Sequence, residues 1–155
     1  DPLYPQSKFN VIKEFVIDSA YCASHSEKPS IKKPANTNLL STELNNECKE
    51  IKIVVTADVK YTGEVWQDRF ISLCLKYVHN KKTVVSHSDY ISKLLTVKDY
   101  KPNQWMKMEF IKTISVNDYK EGKLDIYLKP THTDSYWNPE HTITLKNINV
   151  SILGS

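Results

Sequence analysis

The chain has 155 residues, of which 40% are hydrophobic and 25% charged, with a formal net charge of +3 at pH 7. That length supports one domain with a real core, and a content of only 3 glycines excludes collagen-like and linker-like chains. No apolar run approaches the ~18 residues that a membrane-spanning helix needs, so membrane insertion is not expected.

Residues 1–8 carry two prolines and form an entering arm. Phe9 to Ile17 is β-prone, with Phe9, Val11, Phe15 and Ile17 on one parity. Residues 18–37 have loop composition. Leu39 to Leu44 predicts a short strand. Glu50 to Tyr61 alternates cleanly, with Ile51, Ile53, Val55, Ala57, Val59 and Tyr61 on one face until Thr62-Gly63 breaks the pattern. Phe70 to Val78 places Ile71, Leu73, Leu75 and Tyr77 on one side. A turn at 79–82 then leads into Thr83–Ser86 as a hairpin. Tyr90 to Val97 fits either a strand or a short helical turn, and Tyr100-Lys101-Pro102-Asn103 is a turn. Trp105 to Ile114 sets Met106, Met108 and Phe110 opposite Trp105, Lys107 and Glu109. Asn117 to Gly122 is turn-like. Leu124, Ile126 and Leu128 then define one strand, and Ile148, Val150 and Ile152 another. Period-two alternation is the mark of a strand with one buried and one wet face. Many short strands without a long 3.6-residue pattern predict an all-β fold, a single-domain antiparallel β-sandwich over residues 1–155.

A resemblance sharpens this expectation. The segments Asn103-Gln104-Trp105, Gly122-Lys123-Leu124-Asp125-Ile126-Tyr127-Leu128 and Leu145-Lys146-Asn147-Ile148-Asn149-Val150 resemble the C-terminal half of a carbohydrate-binding-module-like jelly roll. The pattern covers about a third of the chain. It departs at Lys146-Asn147, where many relatives have an acidic pair. The resemblance implies a jelly-roll sandwich, Trp105 in the scaffold, and a secreted or cell-envelope setting beside glycan-processing enzymes.

Two polar, aromatic loops are the candidate ligand sites. One contains Trp66 and Arg69. The other contains His132, Asp134, Tyr136, Trp137 and Asn138. A Trp or Tyr ring stacks on the C–H face of a sugar, while acid, amide, imidazole and guanidinium groups bind its hydroxyls. The competing reading is that Trp66 and Trp137 cap the sandwich core, where a large aromatic gives the most apolar burial. The leading expectation is therefore a non-catalytic carbohydrate-binding or accessory module with a glycan partner and no cofactor. The alternative is a structural or protein-interaction β-sandwich whose partner is a protein. A small glycan-active enzyme ranks below both. Glu64, Asp68, Asp134 and Glu140 offer carboxylates for hydrolysis, but no nucleophile–base–orienter set accompanies them.

Other chemistries are weaker. Arg69 is the sole arginine and the lysines are dispersed, so the arginine-rich footprint of a nucleic-acid binder is missing. The five histidines are widely spaced, which argues against a metal site. Of the three cysteines, Cys22 and Cys48 sit in contexts that allow pairing. Cys74 lies in a strand as a small packed residue. Asn149-Val150-Ser151 forms a glycosylation sequon on the outer parity of a predicted strand.

Overall fold

The computed structural model describes residues 6–17, 37–45, 48–62, 71–97, 99, 101–130 and 142–154. Among these residues nine strands follow one another: β1 (Gln6–Val11), β2 (Phe15–Ile17), β3 (Thr37–Asn45), β4 (Glu50–Thr62), β5 (Ile71–His79), β6 (Lys82–Tyr90), β7 (Trp105–Ser115), β8 (Glu121–Pro130) and β9 (Thr142–Gly154). A 3-10 turn, Ile91–Leu94, follows β6.

All pairings are antiparallel and they nest. The ends of the chain pair first, β1 and β2 with β9, and the pairing then moves inward through β3 with β8 and β4 with β7 to β5 with β6. A long hairpin rolled in this way makes two sheets. The first has the order β1-β9-β4-β7, with β2 also on β9, and the second has the order β3-β8-β5-β6. Two packed antiparallel sheets wound so are a jelly-roll sandwich, the fold class the sequence predicts.

The core is the sum of the alternating faces. On β4, Ile51, Ile53, Val55, Ala57, Val59 and Tyr61 are buried, while Lys52, Thr56, Asp58 and Lys60 face outward. Ile71, Leu73, Leu75 and Tyr77 from β5 meet them across the sandwich, with Leu124, Ile126 and Leu128 from β8. Met106, Met108, Phe110 and Ile114 come from β7, and Ile148, Val150 and Ile152 from β9. Truncating one such fully buried aliphatic to alanine costs roughly 2–5 kcal/mol.

Several boundaries differ from those predicted. Phe9, Val11, Phe15 and Ile17 do share the core side, but the strand breaks at 12–14 and leaves Ile12 93% exposed. β1 also begins at Gln6, inside the expected arm. β6 runs to Tyr90, well beyond Ser86. Asn80 and Lys81, both at positive φ, form the two-residue turn between β5 and β6. Such a turn matches the right-handed twist of the strands it joins. The ambiguous 90–97 region resolves into the 3-10 turn and a bridge from Leu95 to Met108. Cys48 and Cys74 are both buried.

The connections between the sheets decide where loops gather. Thr62 pairs with Thr142, and Ile71 with Pro130. Segments 63–70 and 131–141 therefore both start and finish at strand ends on one end of the sandwich.

Candidate functional site

Trp66 and Arg69 belong to segment 63–70, and His132, Asp134, Tyr136, Trp137 and Asn138 belong to segment 131–141. All seven lie outside the described residues. Their segments share an origin, since they depart from paired strand ends.

A described aromatic residue stands near those strand ends. Trp105 opens β7 and pairs with Lys60 of β4, which in turn pairs with Thr144 of β9. Its side chain points outward and the residue is 40% exposed. Lys146 Nζ lies 3.9 Å from the ring centroid and Lys60 Nζ 4.9 Å. Each cation–π contact at an exposed site contributes about 0.5–1 kcal/mol, so the two lysines hold the indole in place. This corrects the expectation that Trp105 belongs to the scaffold. Its parity was the signal: it shares a face with Lys107 and Glu109, both exposed.

Beside the indole, Asp58 accepts from Lys107 Nζ and from Asn147 Nδ2, the latter at 2.7 Å. Those two hydrogen bonds outweigh the partial burial of the carboxylate and hold its pKa below the usual value, with the charges of Lys107 and Lys146 assisting. Asn147 reaches Asp58 because β9 bulges here. Asn147 and Ile148 together oppose Ala57, between the pairs Thr56–Asn149 and Asp58–Lys146. Asn147 takes φ 53, a left-handed conformation that asparagine tolerates better than most residues. The patch thus holds three lysines against one carboxylate around an exposed tryptophan.

The same face carries further apolar groups. Among the described residues the exposed large hydrophobics are Ile12, Val16, Trp105 and Ile111. Val16, Trp105 and Ile111 lie on strands of the first sheet, and Ile12 lies in the link between β1 and β2. Ile111 sits opposite the half-buried Val54. None of the four belongs to the second sheet. Asn149, the sequon asparagine, is exposed on this face and donates to Asn147 O at 3.0 Å. Among the described residues, no three of His, Cys, Asp and Glu gather as a metal site would require, and no helix is long and apolar enough to cross a membrane.

No protein-family model matches the chain, and no curated protein matches it. Solved structures do. The Gt strain of infectious bursal disease virus superposes with a TM-score of 0.59 at 6% identity, over 97% of this chain and 33% of that one. The T=1 particles derived from the same virus give 0.55 at 7%, over 97% and 31%. The VP2 subviral particle of that virus gives 0.52 at 7%, over 97% and 37%. The chain therefore spans about a third of the length of the viral chains it matches. Identity this low speaks to the fold, which is the jelly roll described above. It also corrects the leading functional expectation. A carbohydrate-binding module was inferred from a strand pattern, and that strand pattern belongs to the jelly roll as a class, capsid and lectin domains alike. The structures named above, which match 97% of this chain, are those of a virus and of particles derived from it, not of carbohydrate-binding modules.

Proposed function

We propose that this chain is a structural β-sandwich domain that packs against further copies of itself in a protein assembly. The observation that carries the reading is the likeness over 97% of the chain to jelly rolls whose structures are those of viral particles. The asymmetry of the two outer faces supports it. A protein interface needs an aromatic anchor inside a larger surface, and the outer face of the first sheet exposes Trp105 and, farther off on the same sheet, Ile111 and Val16.

Charge selects the geometry of the contact. A two-fold contact of this face with itself would set Lys60, Lys107 and Lys146 against the same three lysines, a repulsive arrangement. A head-to-tail contact, with the Trp105 face meeting a different surface of the next copy, avoids that repulsion. Head-to-tail contacts generate rings and shells when the rotation closes.

Sedimentation velocity from micromolar to near-millimolar protein tests the reading. Concentration-dependent association, weakened by added salt, is the expected result. A chain that stays monomeric at the highest concentration would overturn it.

A further inference from the structure

The outer face of the second sheet contains a cleft of about 430 Å³. Its floor is built from small side chains: Ser72 and Cys74 on β5, Ser86 and Ser88 on β6. Taller residues wall it. Ser72 pairs with Tyr90 on one side and Lys129 on the other, while Cys74 pairs with Ser88 and Tyr127. Directly paired residues have Cβ atoms about 4.5–5.5 Å apart, so the walls stand close above the floor. The 3-10 turn brings Lys93 to the rim, its Nζ 5.7 Å from the Tyr90 ring centroid.

The chemistry of this cleft is unlike that of the first sheet. Two exposed ammonium groups, Lys93 and Lys129, line it together with the hydroxyls of Ser72, Ser88 and Tyr90. Among the described residues Asp89 is the single carboxylate of the lining, and it sits on the opposite parity, paired with Leu73 of the core side. Ser72 is only 8% exposed, so its hydroxyl lies low in the cleft, where it can donate to a bound group. Cys74 does not supply a nucleophile: burial pushes its thiol pKa up, against the opposing effects of Lys129 and of the hydrogen bond with Tyr127.

We propose that this cleft binds a small organic phosphate. Lys93 and Lys129 flank the dianion, and Ser72 and Ser88 donate hydroxyl hydrogen bonds to its oxygens. The remainder of the molecule lies between Tyr90 and Tyr127. A monocarboxylate would compensate only one of the two lysines, whereas a phosphate monoester near neutral pH compensates both. The volume falls in the range of small-molecule pockets, about 300–1,000 Å³, which leaves room for an organic group that inorganic phosphate would not fill.

Calorimetric titration of the whole chain with adenosine monophosphate and with inorganic phosphate, at constant ionic strength, tests the site. Saturable binding of both is expected, with adenosine monophosphate the tighter. Lys93→Gln and Lys129→Gln should each weaken binding about tenfold, the scale of a charge-assisted hydrogen bond. Ser72→Ala should weaken it by a smaller factor, and Trp105→Ala should leave it unchanged. Both lysines are exposed, so these variants should keep the wild-type circular dichroism and urea midpoint. Absence of saturable binding by either probe overturns the site, as does binding that ignores both lysine changes. Equal affinity for the two probes overturns the organic part of the assignment. None of these outcomes touches self-association, which is read by sedimentation.

Discussion

The two sheets of this sandwich share one core and present opposite outer faces. Inward, both are runs of large apolar side chains, mainly Ile, Leu and Tyr on the second sheet and Ile, Val, Met and Phe on the first. Outward, the first sheet exposes Trp105, Ile111 and Val16 amid lysines, while the second exposes serines, lysines and tyrosines around a cleft. Polar matter on the second face is also more deeply built in. Asp125 is 7% exposed and accepts from Ser41 Oγ at 2.5 Å, with Lys123 Nζ 3.8 Å away. Inward residues answer to packing density, which tolerates little change. Outward residues are released from that demand, so their divergence records what each face meets.

Four substitutions can break or sharpen this contrast. The largest effect should come from beneath a face. Gly122 of β8 is directed at Tyr77, and a Cβ there would lie 2.3 Å from Tyr77 Cζ. Tyr77 cannot easily yield, because its hydroxyl donates to Tyr119 O at 2.7 Å. Gly122→Ala should cost roughly 2–3 kcal/mol of stability through overpacking, read from urea denaturation. A near-neutral result would mean that the inward side is not the constrained one.

Next in size is Trp105→Ala. Losing an interface anchor typically costs about 2 kcal/mol or more of binding, so self-association should fall more than tenfold. Stability should drop by about 1 kcal/mol at most, the scale of the lost cation–π contacts. Sedimentation and urea melts on the same variant separate the two, and a large loss of stability would return Trp105 to the scaffold.

Lys112→Val tests the free edge of the first sheet. Lys112 occupies a core-side position on β7 and lies over the Phe110 ring at 5.6 Å. An inward-pointing charge on an edge strand discourages unwanted strand pairing. Its removal should speed turbidity on heating several-fold while leaving phosphate binding intact. Unchanged aggregation would show that the contacts from Thr96 to Lys107 O suffice to protect this edge.

The smallest effect is electrostatic. The pKa of Asp58 is lowered from 3.8 by its hydrogen bonds to Lys107 and Asn147. A depressed carboxylate pKa stabilises the fold above the unfolded value and loses that contribution as pH falls through the folded one. Asp58→Asn should therefore cost less than about 1 kcal/mol at neutral pH, since Lys107 is largely exposed. The gap to wild type should close as the pH drops below 3.8. Urea midpoints at neutral and acid pH measure it, and a gap independent of pH would remove Asp58 from the account.

The sequence made the strands legible and the surfaces mostly not. Alternation named the buried residues of β4, β5, β7, β8 and β9 because burial acts on every second side chain. It failed where burial is weak. Only Thr83 to Ser86 of β6 is legible, and His87 to Asp89 is not, because an edge strand can remain polar. The break at 12–14 was invisible because Phe15 resumes the parity of Val11. Trp105 was readable through its outward parity, yet its place at the start of a strand suggested scaffold. The second-sheet cleft has no local signature at all. Ser72, Ser88 and Lys129 are far apart in the chain and meet only through the register of three strands. The two loops first singled out, 63–70 and 131–141, lie outside the described residues, and what the fold adds is their common point of departure.

The nested pairing has a consequence for the order of folding. β9 is the strand on which β1, β2 and β4 all depend, and it is made last among them. The first sheet cannot close on a translating ribosome until residue 154 has cleared the exit tunnel. Until then β4 waits with one side unpaired. At about 5–20 residues per second of synthesis, that is an interval of many seconds spent exposed. Long-range pairing of this kind also folds slowly once complete. The chain's dependence on chaperones should therefore be set by the lateness of β9 more than by the final stability of the sandwich.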